Sequence, residues 1–314
     1  MNGVLVVDKP SGPTSHDVVA RVRRAIGVDR IGHTGTLDPL ATGVLPLVVG
    51  RATRLARFLS ATDKTYDATI ELGVETTTYD SEGRPVGTQH SGPLPSREEI
   101  DRALDAYRGT FLQQPPIYSA KKIGGVRSYE LARQLLSTGA GGGAPAQMER
   151  KLTATPVTVA SLELLTTNGP VVRVSLRCSA GFYVRSLAHD LGQRLGTGAH
   201  LKHLRRTASG ELTLADAVPL DAIEAPGADI ARLLVPMGRM LASLAAVVLT
   251  ADGVRRARHG RDLGAGDLAD AARPAPPGAQ PGVVRLLSEQ GEFIGIAEPT
   301  DTPPGLLHPS VVLV

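Results

Sequence analysis

Residues 33–50 read HTGTLDPLATGVLPLVVG. One acidic residue, Asp38, stands there among small, apolar and turn-forming neighbours, with Thr36 before it and Pro39 directly after. The apolar run at 44–49 has the length and composition of a buried strand. An Asp-Pro pair alone initiates turns, but a lone carboxylate at the edge of a strand also suits chemistry. The flanking sequence has to decide between the two.

Upstream, GVLVVDKPSG is a short apolar strand ending in a Pro-Gly turn. TSHDVVARVRRAIG then predicts a helix: Thr14 and Asp17 fit a capping box, Val18, Val19, Val22 and Ile26 make one apolar face, and Gly27 is the stop. Downstream, GRATRLARFLS predicts a helix with Leu55, Phe58 and Leu59 on one face. Arg51, Arg54 and Arg57 lie on the other, as a solvated basic face. KTYDATIELG alternates Tyr66, Ala68, Ile70 and Leu72 with polar residues, the pattern of a half-buried strand. REEIDRALDAYRG is amphipathic at helical period. VVRVSLRCS alternates again, and FYVRSLAHDLGQRLG carries a helical stripe from Val184 to Leu195, with Arg185 at the junction. From about Leu244, short apolar runs alternate with turns and a Pro-rich tract, which predicts a small, separate, β-rich module.

Composition narrows the function classes. The chain has 314 residues, 42% hydrophobic and 3% aromatic, with no Trp, so aliphatic side chains fill its core. Net charge is +3, from 28 Arg and 6 Lys against 31 acidic residues, which permits nucleic-acid binding without demanding it. A single cysteine, Cys178, rules out an intramolecular disulfide framework and a Cys-based zinc cluster. His200 and His203 lack a matching carboxylate or Cys motif and read as surface or phosphate-contacting residues. No Walker-type loop occurs, and the glycine run near 139–146 follows no strand. No signal peptide or apolar stretch of membrane-spanning length is present, so a soluble cytoplasmic protein is expected.

Four blocks, GHTGTLDPLATGVLPLVVGRATR, DKTYDATIELGVETTTYDSEG, QQPPIYSAKKIGGVRSYELAR and SAGFYVRSLAHDLGQRLG, resemble in order and spacing the bacterial tRNA pseudouridine synthase B family. The likeness runs from about residue 3 to 220, and the tail resembles the small RNA-binding PUA domain more weakly. The resemblance implies an α+β fold: a mixed, largely antiparallel sheet flanked by helices, with an RNA-binding cleft, a thumb insertion at about 119–150, and a PUA-like domain. It implies a catalytic domain over 1–243 and an RNA-binding domain over 244–314. It implies isomerisation of the TΨC-loop uridine, position 55 of tRNA, after the nucleotide is flipped out. No cofactor, no metal and no obligate protein partner are expected; the partner is the tRNA T-arm.

Carried over residue by residue, Asp38 is the catalytic carboxylate, Arg185 its arginine partner, and Tyr66 the tyrosine that stacks on the base and takes part in proton transfer from C5. Tyr183 is a second active-site aromatic, and His33 helps open the RNA loop. Lys9 shapes the cleft floor, or is a buried paired lysine. Lys121, Lys122, Arg127 and Arg133 meet phosphates from the thumb, and Lys202, Arg205 and Arg206 do so from HLKHLRRTASG. The thumb departs from the family pattern, being longer and richer in glycine. Two other readings share these motifs: a guide-RNA-dependent relative, and a tRNA-binding or tRNA-folding protein.

Overall fold

The computed structural model describes residues 1–119, 121–123, 126–127, 152–269, 282–301 and 304–314, without the side chains of 122, 123, 127, 301 and 304. The main elements, in chain order, begin with β1 (Gly3–Lys9), α1 (Ser15–Ile26), β2 (Ile31–His33), β3 (Thr42–Val49) and α2 (Ala56–Ala61). Next come β4 (Lys64–Leu72), α3 (Arg97–Leu104), β5 (Gly109–Gln113), β6 (Thr155–Asn168), β7 (Val171–Cys178), α4 (Val184–Leu195) and β8 (Ala199–Ser209). The tail adds β9 (Ala245–Leu249), α5 (Ala251–Arg258), β10 (Val284–Ser288), β11 (Phe293–Asp301) and β12 (Pro304–Val312). The fold is α+β, as expected.

By their contacts the described residues form two compact units. The first holds Met1–Asp38, Gly43–Ala61 and Ser209–Val314; the second holds Pro39–Thr42 and Thr62–Ala208. The chain passes from one to the other at the Asp38–Pro39 peptide.

In the first unit β1 pairs antiparallel with β3, Val4 facing Val48 and Lys9 facing Gly43. Val218–Pro219 joins the far edge of β1 in parallel, which makes the sheet mixed. β2 lies antiparallel on β3, with His33 opposite Leu47. α1 begins as its sequence dictates: Thr14 Oγ1 accepts from Asp17 N at 3.1 Å, and Asp17 Oδ2 accepts from Thr14 N at 2.8 Å. Its apolar face, Val18, Val19, Val22 and Ile26, is buried.

The tail forms its own sheet in the order β9-β10-β11-β12. It is β-rich and has a core cluster of its own, Leu249, Ala257, Leu263, Leu286, Ile294 and Ala297, while other tail residues join the cluster of β1 and β3. Phe293, Ile296, Val311 and Leu313 pack in one cluster with Val4, Val6, Val44, Val48, Leu55 and Leu59. The basic face of the Arg51 segment is exposed, as expected, and it also bonds to the tail. Arg51 Nη1 donates to Leu313 O at 3.2 Å, Arg54 Nη1 to Val312 O at 2.5 Å, and Arg57 Nη2 to Glu298 Oε1 at 2.6 Å. These exposed cations bond to the end of the chain while still facing solvent.

In the second unit the sheet runs β8-β4-β7-β6-β5. β4 faces β7 antiparallel, Tyr66 opposite Leu176 and Ile70 opposite Val172. Residues of β4 alternate between buried and half-buried along its whole length, the outcome its sequence period predicts. α4 starts directly after this sheet and buries Val184, Leu187, Ala188 and Leu191. Among the described residues no helix is long and apolar enough to cross a membrane.

Candidate active site

The loop that opened the sequence analysis is built by β2, β3 and α1, all in the first unit. β2 sets His33 on β3, and Thr34 N extends the ladder by donating to Pro46 O at 3.1 Å. The chain then leaves the sheet through Gly35, at φ 99°, and re-enters β3 through Gly43, at φ 97°. A side chain at either position would meet the left-handed steric penalty. Between them residues 36–38 carry no regular structure and 39–40 form a turn, and Pro39 disfavours helical geometry at Asp38. Leu37 is buried while Asp38 is half-exposed, so the apolar neighbour anchors the loop and the carboxylate stays reachable. Ser15 Oγ binds both backbone groups of Leu37, donating to its O at 3.0 Å and accepting from its N at 2.8 Å. His33 packs edge-on against His16, ring centroids 5.2 Å apart and planes at 86°.

Lys9 closes the first unit's set. It is 0% exposed and Nζ donates to Pro10 O at 3.0 Å. Lys9 is thus buried, and its ammonium is held among the protein's own groups.

The second unit assembles the remaining residues around the start of α4. Arg185 is 6% exposed. Its Nη2 donates to Tyr118 O at 2.8 Å, its Nη1 to Thr78 O at 3.2 Å, and its Nε lies 3.7 Å from Asp80 Oδ2. Asp80 is itself held: Oδ1 accepts from Thr78 Oγ1 at 2.5 Å and from Glu82 N at 3.1 Å. Next to it, Tyr79 takes a positive φ of 64°, rare for a residue with a side chain, and stacks on His189 at 3.9 Å between centroids.

Tyr183, the N-cap of α4, is gripped by Gln113. Gln113 Nε2 donates to Tyr183 O at 3.0 Å, and Gln113 Oε1 accepts from Tyr183 N at 2.8 Å. Ser186 Oγ adds a bond to Gln114 O at 2.9 Å. The segment before the thumb is thus fastened to the helix that presents Arg185. Tyr66 lies on β4, 8% exposed, on the same face as Lys64. Burial and the neighbouring Arg206 charge bring the Lys64 ammonium down to about 8.

The basic residues divide. Lys202 Nζ is bound to Glu71 Oε2 at 2.8 Å, and Arg205 Nη1 reaches Thr42 Oγ1 at 3.4 Å. Arg206 is 1% exposed, so the phosphate contact expected of it is corrected: its guanidinium belongs to the interior. His200, expected at the surface, is 8% exposed and its Nδ1 sits 2.9 Å from Val74 O. Lys121 is half-buried, and Lys122 and Arg127 face each other across a two-residue ladder. Arg133 and the glycine-rich 139–146 lie outside the described residues. A cavity of about 570 Å³ lined by His90, Leu94, Arg102, Arg194 and Thr197 holds none of the residues assigned from sequence.

Sequence reading missed Ser15, Asp80 and Gln113. Asp80 lay within a quoted block, TTTYDSEG, but nothing in the chain's local period sets it apart from the solvated acids beside it.

The family model described as TruB family pseudouridylate synthase (N terminal domain) matches residues 23–184. The tRNA pseudouridylate synthase B C-terminal domain matches 185–242, and Pseudouridine synthase II TruB, C-terminal, matches 245–313. The chain belongs to the TruB pseudouridylate synthase family. It is 42% identical to the tRNA pseudouridine synthase B of Solibacter usitatus over 100% of both chains. It is 46% identical to that of Opitutus terrae over 76% of this chain and 93% of the relative. Among solved structures, a chain from a Cbf5-Nop10-Gar1 complex superposes with TM-score 0.71 at 27% identity, covering 95% of this chain and 78% of the other.

Proposed function

We propose that this protein is a tRNA pseudouridine synthase that converts the TΨC-loop uridine, position 55, to pseudouridine. The single observation that carries the reading is 42% identity to a tRNA pseudouridine synthase B over the full length of both chains. The reaction moves one bond: uracil N1–C1′ breaks, the base turns, and C5–C1′ forms. The C5 proton is lost and N1 gains one, so the reaction is an isomerisation with no net donor or acceptor.

Asp38 supplies an ionised carboxylate beside the anomeric carbon. Attack at C1′, attack at C6 and assistance to a glycal all need that group held still and unprotonated. Arg185 aims it through a planar guanidinium. Tyr66 stacks on the uracil and serves the C5 proton. His33 takes the space vacated as the nucleotide flips out of the loop. Residues 1–243 carry the chemistry and 244–314 add RNA contact. Lys121, Lys122, Arg127 and Arg133, with Lys202 and Arg205, contact phosphates of the T-arm. The enzyme works in the cytoplasm, without guide RNA or protein partner; relatives of 42% and 46% identity named as tRNA enzymes favour this over the guide-dependent reading.

The test is the purified protein alone on a tRNA transcript labelled with tritium at uridine C5, with pseudouridine mapped in the product. Release of one tritium per tRNA at position 55, abolished by Asp38→Asn with affinity kept within about tenfold (~1.4 kcal/mol), is expected. Substantial turnover by Asp38→Asn, or modification elsewhere, overturns it.

A further inference from the structure

Ser15 occupies the first turn of α1, where a side chain is normally spent on capping the helix. Here Thr14 and Asp17 do the capping between them, and the Ser15 hydroxyl is free for another task. It is 0% exposed and reaches across 22 residues to Leu37. There it donates to Leu37 O at 3.0 Å and accepts from Leu37 N at 2.8 Å. One hydroxyl thus satisfies both backbone groups of one buried residue. Leu37 lies outside any strand, so its backbone groups are not paired in a sheet ladder.

The Leu37 carbonyl is half of the Leu37–Asp38 peptide. Fixing its direction fixes where Asp38 leaves the backbone. Pro39 restricts Asp38 from the other side. The carboxylate therefore sits between one peptide held by a helix and one restrained by a ring.

We infer that Ser15 is a positioning residue for the reaction, setting the catalytic carboxylate through the Leu37–Asp38 peptide. This rests on the reading of Asp38 as that carboxylate. Without the hydroxyl, the buried Leu37 N–H and C=O lose these partners and the turn shifts to regain others. A displacement near 1 Å at a reacting group costs about 10²-fold in rate.

The experiment compares Ser15→Ala with Ser288→Ala. Ser288 is also buried, at 5% exposed, and its Oγ accepts from a backbone amide, Glu292 N, at 3.1 Å. It lies in the tail, far along the chain from the Asp38 turn. Single-turnover rate at saturating tRNA, tRNA dissociation constant and thermal midpoint are measured for both. Expected: Ser15→Ala turns over about 10- to 10²-fold more slowly with affinity within about twofold, while Ser288→Ala keeps the wild-type rate at similar loss of midpoint. A wild-type rate in Ser15→Ala, or equal slowing in Ser288→Ala, overturns the inference. Should Ser15→Ala fail to fold, Ser15→Cys, similar in size with weaker hydrogen bonds, is read by the same two criteria. Asp38→Asn is run alongside: turnover there removes the reading of Asp38, whereas an inactive Asp38→Asn beside a fully active Ser15→Ala removes only the role of Ser15.

Discussion

Arg185 and Asp80 meet out of reach of water: Nε and Oδ2 are 3.7 Å apart, and the two side chains are 6% and 4% exposed. The pair is not a surface bridge of negligible worth. Breaking a buried pair from one side costs about 3–5 kcal/mol, because the remaining charge keeps its desolvation without that compensation. Asp80→Asn preserves size and removes the charge. It is expected to lower unfolding free energy by about 3 kcal/mol and to slow turnover. Urea titration and single-turnover rates check both, and a variant as stable and as fast as wild type contradicts the role given to the pair.

Arg185→Lys keeps the charge and loses the fork. The native guanidinium addresses Tyr118 O, Thr78 O and Asp80 in three directions at once. An ammonium on a flexible stem cannot reproduce those directions. A rate loss of at least ~10²-fold is expected; near-wild-type single turnover would show that the charge alone suffices.

Tyr66→Phe keeps the ring on β4 and removes the hydroxyl. RNA affinity should be retained while the chemical step fails. A fully active Phe variant would reduce Tyr66 to stacking and packing.

Alkaline pH sets two buried groups of the second unit against each other. Lys64 falls from 10.5 to about 8, chiefly by burial. Between these values the unfolded chain binds the proton and the folded one does not, so this group makes stability rise with pH from about 8 to 10.5. Cys178 is raised from 9.0 to about 12, again chiefly by burial. From 9 to 12 the unfolded thiol ionises first, so this group makes stability fall over that window. Lys64→Met should therefore abolish the rise and Cys178→Ala should lessen the fall. Unfolding free energy measured from pH 7 to 11 tests the signs, and slopes unchanged in both variants refute them.

The arginines of the α2 region tie down the chain end. Replacing Arg51, Arg54 and Arg57 together by Ala should cost about 1–2 kcal/mol in all, since these partly exposed bonds are individually weak. Removing residues from 245 onward is a different matter. It strips Phe293, Ile296, Val311 and Leu313 from the cluster that holds Val4, Val6 and Val44. That truncation is expected not to fold, and a cooperatively melting, active 1–244 fragment would contradict the shared core.

Local pattern made much of this legible. The capping box at Thr14, the alternation of β4 and the stripe of α4 are fixed by neighbours a few residues away. The family was legible through a resemblance rather than through period or spacing. What stayed hidden depends on partners distant in sequence. Arg51 and Arg54 are exposed as read, but their bonds to carbonyls 262 and 258 residues away were not legible. Arg206 read as an RNA contact because charge suggests surface, yet it is buried by the fold. Asp80 looked like its solvated neighbours until Arg185, 105 residues later by subtraction of the two numbers, came to lie beside it.

The division of the chain at Asp38–Pro39 and Ala61–Thr62 has a consequence for synthesis. Residues 62–208 leave the ribosome as one continuous stretch and can complete their own unit while translation proceeds. The first unit cannot. Its opening strand is made first, but the side chains that close over it, Val311 and Leu313, are made last. Val44, Val48, Leu55 and Leu59 can cover Val4 and Val6 early, but completion of their cluster waits for nearly the whole of elongation. At about 5–20 residues per second that wait lasts tens of seconds, long enough for the nascent amino-terminal segment to need a chaperone's cover.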